Sequence, residues 1–382
     1  MGTYSRFPLT LVKGQGSRVW DDQGKEYLDF VAGIAVCNLG HGHPAVTQVI
    51  AAQADALVHV SNLYYTGPMA ILAQGLVENS FADKVFFGNS GAEANEGAIK
   101  LARKYSYDHF GPGRHEIICA QNSFHGRTLA TLSATGQDKV KKGFDPLMPG
   151  FSFVPYNDLP ALAEAVTDRT CAVLLEPVLG EGGVILPDRD YLKGAKSLCR
   201  TDKLLLIFDE VQVGMGRTGT LFAHQFDDVA PDIMTLAKAL ANGLPLGAVL
   251  ATEDVAASFT PGAHASTFGG GPVVAAAAGV VLKTLIDGRV LDNCRQVGEY
   301  FINRLRSLGN KVNGVKDVRG RGLIIGMELE YDGTEVVKEM MQRGFLINCV
   351  QTNVLRFVPP LIVTEQEVDL LLAALEEVLK TK

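Results

Sequence analysis

No C-x-x-C pair occurs in this chain, and its six cysteines (Cys37, Cys119, Cys171, Cys199, Cys294 and Cys349) are scattered. That pattern excludes a zinc or disulfide framework and suits reduced thiols. There is no dense run of Lys and Arg, and the net charge of −7 provides no surface for nucleic acid. Long apolar runs are also missing; the stretch from Pro272 to Leu282 is broken by Gly279 and is too short to span a bilayer. The start, Met1-Gly-Thr-Tyr-Ser-Arg-Phe-Pro-Leu9, has no basic segment followed by an apolar one, so no secretory signal is read and a cytoplasmic location is expected. Neither an internal repeat nor a low-complexity tract is evident. With 47% hydrophobic and 20% charged residues, disorder is excluded as well.

What is present is alternation. A length of 382 residues suits two or three domains at ~150 residues each. Short apolar runs at Val85–Gly88, Ile117–Ala120, Ala172–Glu176, Leu204–Phe208 and Leu246–Ala251 read as strands, with amphipathic stretches such as Glu93–Tyr107 between them. This order predicts an α/β fold with a mostly parallel sheet, whose ligands sit at the carboxyl ends of the strands. Beyond Ala251 the pattern changes. Helices are expected over Pro272–Ile286, Asn293–Leu308 and Glu365–Leu379, and strands over Leu323–Leu329 and Val354–Val358. Two short strands around Asp22-Gln-Gly24 are expected near the N-terminus. The expected division is an N-terminal segment, 1–50, packing with a small domain; a large domain, 51–270; and a smaller α+β domain, 271–382.

Several constellations carry possible chemistry. Phe87-Gly-Asn-Ser-Gly-Ala-Glu-Ala-Asn95 ends a strand and opens a helix, with Ser90 and Glu93 at capping-box spacing. Free N–H groups at such a start suit a phosphate, although an ordinary cap uses the same residues. In Phe124-His-Gly-Arg-Thr128, Phe124 could stack on a flat ring and Arg127 could clamp a carboxylate. A core Phe, a surface Arg and a structural His125 read equally well. Gly214-Met-Gly-Arg-Thr-Gly219 matches G-x-G-x-x-G, the runner-up signal, which would make the chain a nicotinamide-dependent oxidoreductase. Against this, Asp209–Val213 separate the glycines from the strand, and the residues after Gly219 make a poor helix opening. His41-Gly-His43 lacks a second ligand cluster, so no metal is expected.

Lys238, in Thr235-Leu-Ala-Lys-Ala-Leu240, comes after Asp209, which ends Leu204-Leu-Leu-Ile-Phe-Asp209. Singly these are a solvated helix lysine and a loop-opening acid. As a pair they are what pyridoxal phosphate needs: an amine for its aldehyde and a carboxylate for its ring nitrogen. Opposite charges ~4 Å apart at an effective dielectric near 20 gain roughly 4 kcal/mol, about three pKa units. That would keep the ring nitrogen protonated.

Read in order, these stretches resemble the class III, or ornithine-type, pyridoxal-phosphate-dependent aminotransferases across nearly the whole chain. The matching blocks are Phe30-Val-Ala-Gly-Ile-Ala-Val36, Gly40-His-Gly-His-Pro44, Asn89 to Asn95, Phe124 to Thr128, Glu176-Pro177 with Gly180-Glu-Gly-Gly183, Asp209-Glu-Val-Gln212, Gly214 to Gly219, Ala237-Lys238, Ser266-Thr-Phe-Gly-Gly270 and Arg356-Phe-Val-Pro-Pro360. The resemblance implies fold type I and a homodimer with shared sites. It implies that Lys238 carries the cofactor and then moves a proton, and that Asp209 pairs with the ring nitrogen. Gln212 would lie beside the ring's phenolic oxygen, and Val211 and Phe124 would pack on its faces. Ser90, Gly91 and Ala92 would hold the phosphate, and Thr267 would reach the partner's phosphate. Arg127, Arg356, Ser266 and Glu181 would meet the substrates.

The implied reaction moves the terminal amino group of N2-acetylornithine to 2-oxoglutarate, a step in arginine biosynthesis. Ornithine, succinylornithine, 4-aminobutyrate or carrier-linked lysine are the rival donors. One pocket must then accept a substrate with a carboxylate beside the reacting amine and another without it. A bare Arg356 would cost several kcal/mol when unpaired, and a movable Glu181 would neutralise it. Two departures from the family pattern stand out: Gly269-Gly-Gly-Pro272 replaces Gly-Gly-Asn-Pro, and Asn242 stands where glycine is common.

Overall fold

The computed structural model describes residues 1–382. Its largest element is a seven-stranded sheet. Numbering strands along the chain, β1 (Leu11–Gln15), β2 (Arg18–Asp21) and β3 (Glu26–Asp29) come first. The large sheet is made of β4 (Lys84–Gly88), β5 (Glu116–Ala120), β6 (Phe151–Val154), β7 (Thr170–Leu175), β8 (Leu205–Asp209), β9 (Ile233–Leu236) and β10 (Gly247–Ala251). Their spatial order is β4-β10-β9-β8-β7-β5-β6. Only β10 runs antiparallel to its neighbours; β9, β8, β7, β5 and β6 are parallel. The expected α/β class with a mostly parallel sheet is what the structure has.

Strands β7 and β8 are buried at every residue, because helices cover both faces of the sheet. Burial on two sides explains why they read as unbroken apolar runs rather than alternating ones. The expected strands appear within a residue or two of their expected ends. Two strands of this sheet, β6 and β9, were not expected; polar Ser152 and Thr235 interrupt their apolar runs.

The rest of the chain builds two four-stranded sheets. One contains β11 (Val315–Arg321), β12 (Ile324–Leu329), β15 (Val354–Phe357) and β14 (Asn348–Val350). The other joins β1, β2 and β3 to β13 (Phe345–Leu346), which lies parallel to β3. The expected turn between β2 and β3 is built by Asp21. Its Oδ1 accepts from the N–H groups of Gln23 (3.0 Å) and Lys25 (2.8 Å), and its Oδ2 accepts from the Tyr27 hydroxyl (2.9 Å). No helix is long and apolar enough to cross a membrane.

The Gly214–Gly219 run is not a nucleotide loop, which overturns the oxidoreductase alternative. It coils around Arg217, one of the largest fully buried side chains. Arg217 Nη1 donates to the carbonyls of Leu323 (2.9 Å) and Pro359 (2.6 Å), and Nη2 donates to Asn38 Oδ1. Gly216 (φ 92) and Gly219 (φ 90) adopt left-handed turns around this knot. The next helix has only four residues, His224–Asp227, and is not a long helix aimed at a pyrophosphate. Arg217→Met should leave those three acceptors without a donor, at about 1–3 kcal/mol each. The expected result is a clearly lower urea midpoint for unfolding.

Candidate active site

Asp209 is the last residue of β8, and Lys238 opens a short 3-10 turn, with Ala237 alone between it and β9. These strands are parallel neighbours, with Asp209 in register with Thr235. The fold therefore delivers both side chains to the same end of the sheet. There they line a cavity of about 470 Å³ together with Ser90, Gly91, Ala92, Phe124, Arg127, Glu181, Val211 and Gln212. Every predicted site residue except Arg356, Ser266 and Thr267 thus lines one space.

The Asp209 carboxylate is buried and well supplied with donors. Its Oδ2 accepts from Asn95 Nδ2 (2.7 Å) and His125 Nδ1 (2.8 Å), and its Oδ1 accepts from the Val211 N–H (3.0 Å). Asn95 is oriented in turn: its Nδ2 also donates to the His125 carbonyl, and its Oδ1 accepts from Thr235 Oγ1 (2.8 Å). Asn95 and Glu176 line the cavity but had no sequence-based role. The available signal was a polar residue on the buried face of the Gly91–Phe110 helix, and an acid ending an all-apolar strand. Glu176 accepts from the N–H groups of Phe124 (2.8 Å) and Gly180 (3.1 Å), and burial pushes its carboxyl above the usual range. Burial also pulls the Lys238 amine down to about 8, against the raising influence of Glu181.

Ser90 caps the Gly91–Phe110 helix, its Oγ accepting from the Glu93 N–H (3.1 Å). The reciprocal half of the expected capping box is displaced by one residue: Glu93 Oε2 takes the N–H of Asn89 (2.6 Å), not that of Ser90. No protein atom accepts from the N–H groups of Gly91 and Ala92. A Cβ at Gly91 would meet Val211 Cγ1 at 2.7 Å, so glycine lets the helix start lie against that side chain. This is a cradle for an anion.

A second set of charges closes the far side. Arg356, on β15, is fully buried, and its Nη1 donates to Glu181 Oε1 (2.6 Å) and Gln212 Oε1 (3.1 Å). Gln212 Nε2 donates to the same Glu181 oxygen at 3.1 Å. A Cβ at Gly180 would overlap the Gln212 amide, Oε1 lying 2.2 Å away, which is why glycine precedes Glu181. With its oxygen toward the guanidinium, Asn348 accepts from Nη2 at 2.8 Å. Burial pushes Glu181 up, but Arg356 and then Lys238 outweigh it and hold the carboxyl below the usual range. Arg127 is exposed at the mouth, its guanidinium 4.7 Å from the centre of the Phe124 ring. Ser266 and Thr267 lie outside the cavity. Ser266 Oγ accepts from the Gly269 N–H (3.0 Å) and Asn89 Nδ2 (3.3 Å), whereas Thr267 is on the surface.

Residues 2–379 match the aminotransferase class-III family. The chain belongs to that family. An acetylornithine aminotransferase from Caldanaerobacter subterraneus subsp. tengcongensis is 53% identical over 99% of this chain and 96% of its own length. A protein of the same name from Methanocaldococcus jannaschii is 52% identical over 98% of this chain and 94% of its own. Among solved structures, ornithine aminotransferase from Toxoplasma gondii ME49 superposes with a TM-score of 0.96 at 36% identity, covering 100% of this chain and 92% of that one. N-acetylornithine aminotransferase from Stenotrophomonas maltophilia K279a gives 0.87 at 38% identity, covering 99% and 97%.

The aminotransferase has fold type I and uses pyridoxal phosphate, and its cavity fits that group. A buried carboxylate keeps a lone pair of Oδ1 uncommitted, an amine is held near neutrality, and unbonded N–H groups wait at a helix start. When bound, the cofactor supplies an aldehyde that captures amines and a protonated ring that takes up electrons. Only the neutral amine is nucleophilic. With Lys238 lowered to about 8, covalent loading of the apo-protein should accelerate about tenfold per pH unit below 8 and level off above it. Stopped-flow absorbance checks this; a plateau reached only above 10 would reject the depressed amine.

Proposed function

We propose that this aminotransferase carries the terminal amino group of N2-acetylornithine to 2-oxoglutarate, in the cytoplasm and in arginine biosynthesis. The observation that carries the reading is the ion pair between buried Arg356 and half-buried Glu181, 2.6 Å apart at the wall of the Lys238 cavity. The names of the relatives at 52–53% identity support the choice of donor. Six free thiols accord with the location.

Lys238 Nζ would take the proton from the substrate carbon that bears the amine and hand it to the cofactor carbon that receives the amine, ending in its starting protonation state. Asp209 holds the ring nitrogen's proton. Arg356 is neutralised by Glu181 while the acetylornithine end occupies the pocket, since that end brings no carboxylate beside its amine. When glutamate enters, its α-carboxylate takes the Glu181 place, and Glu181, already partly exposed, swings toward solvent. Arg127 at the mouth holds the distal carboxylate of either substrate. Gln212, bridging Glu181 and Arg356, steadies the pair as well as bordering the ring.

The enzyme acts as a homodimer in this reading. Leu63, Tyr64 and Tyr65 are 81%, 69% and 96% exposed, and Phe268 is 65% exposed. The two loops are joined: Asn62 Nδ2 donates to the Ser266 and Gly269 carbonyls, and the His59 ring lies 5.2 Å from the Phe268 ring. Exposed apolar side chains on two joined loops call for a cover, and a second copy would bring Thr267 to a neighbouring phosphate. We also divide the chain at 50 and 270, a division supported by the pairing of β3 with β13 and by the separate β11-β12-β15-β14 sheet.

A panel of amine donors with 2-oxoglutarate, ranked by kcat/KM, tests the donor. N2-acetylornithine should lead, and an ornithine or 4-aminobutyrate preference above tenfold would replace this reading. Arg356→Ala should slow the glutamate half-reaction at least ~100-fold, as expected for losing a buried charged partner. The acetylornithine half-reaction should fall much less. Equal losses in single-turnover absorbance traces would break the exchange between Glu181 and substrate.

A further inference from the structure

His125 is the one buried cavity histidine without a role in the reaction as described. Its ring nitrogen Nδ1 lies 2.8 Å from Asp209 Oδ2. A carboxylate only accepts, so Nδ1 carries the hydrogen. The other nitrogen, Nε2, is buried and has no partner. Glu176, the next buried acid, makes no hydrogen bond to it; its two oxygens accept from the Phe124 and Gly180 N–H groups. A histidine kept only for packing is normally satisfied at both nitrogens. Here the single hydrogen bond retained is the one to Asp209.

The backbone around His125 is pinned. Its N–H donates to Thr135 Oγ1 (3.0 Å), and its carbonyl accepts from Asn95 Nδ2 (2.8 Å). Gly126 comes next at φ 143, where a Cβ would meet Thr131 Oγ1 at 2.5 Å. The ring therefore stays directed at one oxygen. His125 and Asn95 both load Oδ2, whereas Oδ1 takes only the Val211 N–H. The asymmetry leaves Oδ1 with the free lone pair.

We propose that His125 is a positioning residue for transamination: its Nδ1–H occupies Asp209 Oδ2, so that Oδ1 is the oxygen presented to the cofactor's ring nitrogen. This rests on the reading of Asp209 given above. The test compares His125→Phe, which keeps ring volume without a donor, with His125→Asn, whose Nδ2 hangs from the same γ-carbon position as Nδ1. Apo-protein is titrated with pyridoxal phosphate, melting temperatures of the apo-proteins are compared, and kcat and KM are measured for the loaded enzymes. His125→Phe should weaken cofactor binding and lower kcat, each roughly 10- to 100-fold as for a charge-assisted hydrogen bond. KM for the amine donor should stay within about threefold, and His125→Asn should recover most of both losses. Parental cofactor affinity and kcat in His125→Phe, or equal loss in the Phe and Asn variants, would overturn the proposal. If the Phe variant does not fold, His125→Gln, whose amide sits one bond farther out, replaces it, and a Gln variant equal to the Asn variant is then the overturning result. Failure of the unaltered protein to bind pyridoxal phosphate would instead refute the reading of Asp209 itself.

Discussion

The parallel pairing of β8 with β9 is the constraint on which the site depends. It sets Asp209 opposite Thr235, and the chain needs only three more residues to place Lys238 over the same end of the sheet. Strand spacing in a sheet is ~4.8 Å, so an acid and an amine leaving adjacent strands face one cavity without any long-range adjustment. The remaining polar groups are arranged around that juxtaposition. Asn95 reaches it from the helix after β4, His125 and Phe124 from the loop after β5, and Glu176 from the end of β7.

Charge in this cavity is balanced rather than simply accumulated. Isolated buried charges would neutralise themselves by shifting pKa. The Asp209 carboxylate is met by three donors, and the Arg356 guanidinium by the oxygens of Glu181 and Gln212. Lys238 has no such partner within hydrogen-bonding distance, and burial accordingly moves it toward the neutral amine. In the proposed reaction the group that would attack is the one left without a partner, while the groups that would hold charge are paired. The proposed exchange falls on the Glu181 contact, the one in this set whose acid is partly open to solvent.

The sheet strands were legible because two-sided burial makes β7 and β8 continuous apolar runs, and the Glu365–Leu379 helix because its start signal and its apolar spacing agree. Lys238 and Asp209 were read as a pair because a resident cofactor needs both groups, and the structure brings them to one cavity, although nothing local marks either. β6 and β9 were not legible: β6 is a half-buried edge strand interrupted by exposed Ser152, and Thr235 breaks the apolar run of β9. Arg217 entered the sequence reading only as a position within a glycine run. Its true role, bridging Asn38, Leu323 and Pro359, joins residues distant in sequence, and local pattern has no access to that. Asn95, His125 and Glu176 share the difficulty: each is defined by what it holds, and the held groups come from other strands.

The two departures from the family pattern have different physical meanings. Gly271 has φ −51 and precedes Pro272, which opens the Pro272–Asp287 helix. That backbone is ordinary for any residue, and the only neighbour a Cβ would approach is the Phe268 carbonyl at 3.3 Å. An asparagine fits there with little strain, so glycine and asparagine are nearly interchangeable at this cap. Asn242 is the reverse case. Its φ of 47 is left-handed, a conformation that explains why glycine is common at this point and why asparagine is the side chain that tolerates it. It also gains two hydrogen bonds that glycine lacks: Oδ1 accepts from the Leu39 N–H (2.9 Å), and Nδ2 donates to the Gly40 carbonyl (3.0 Å). Those bonds tie the 38–40 segment, whose Asn38 already holds Arg217, to the Gly243–Leu246 wall of the cavity. The substitution therefore exchanges backbone freedom for a fixed link between the N-terminal segment and the site it borders.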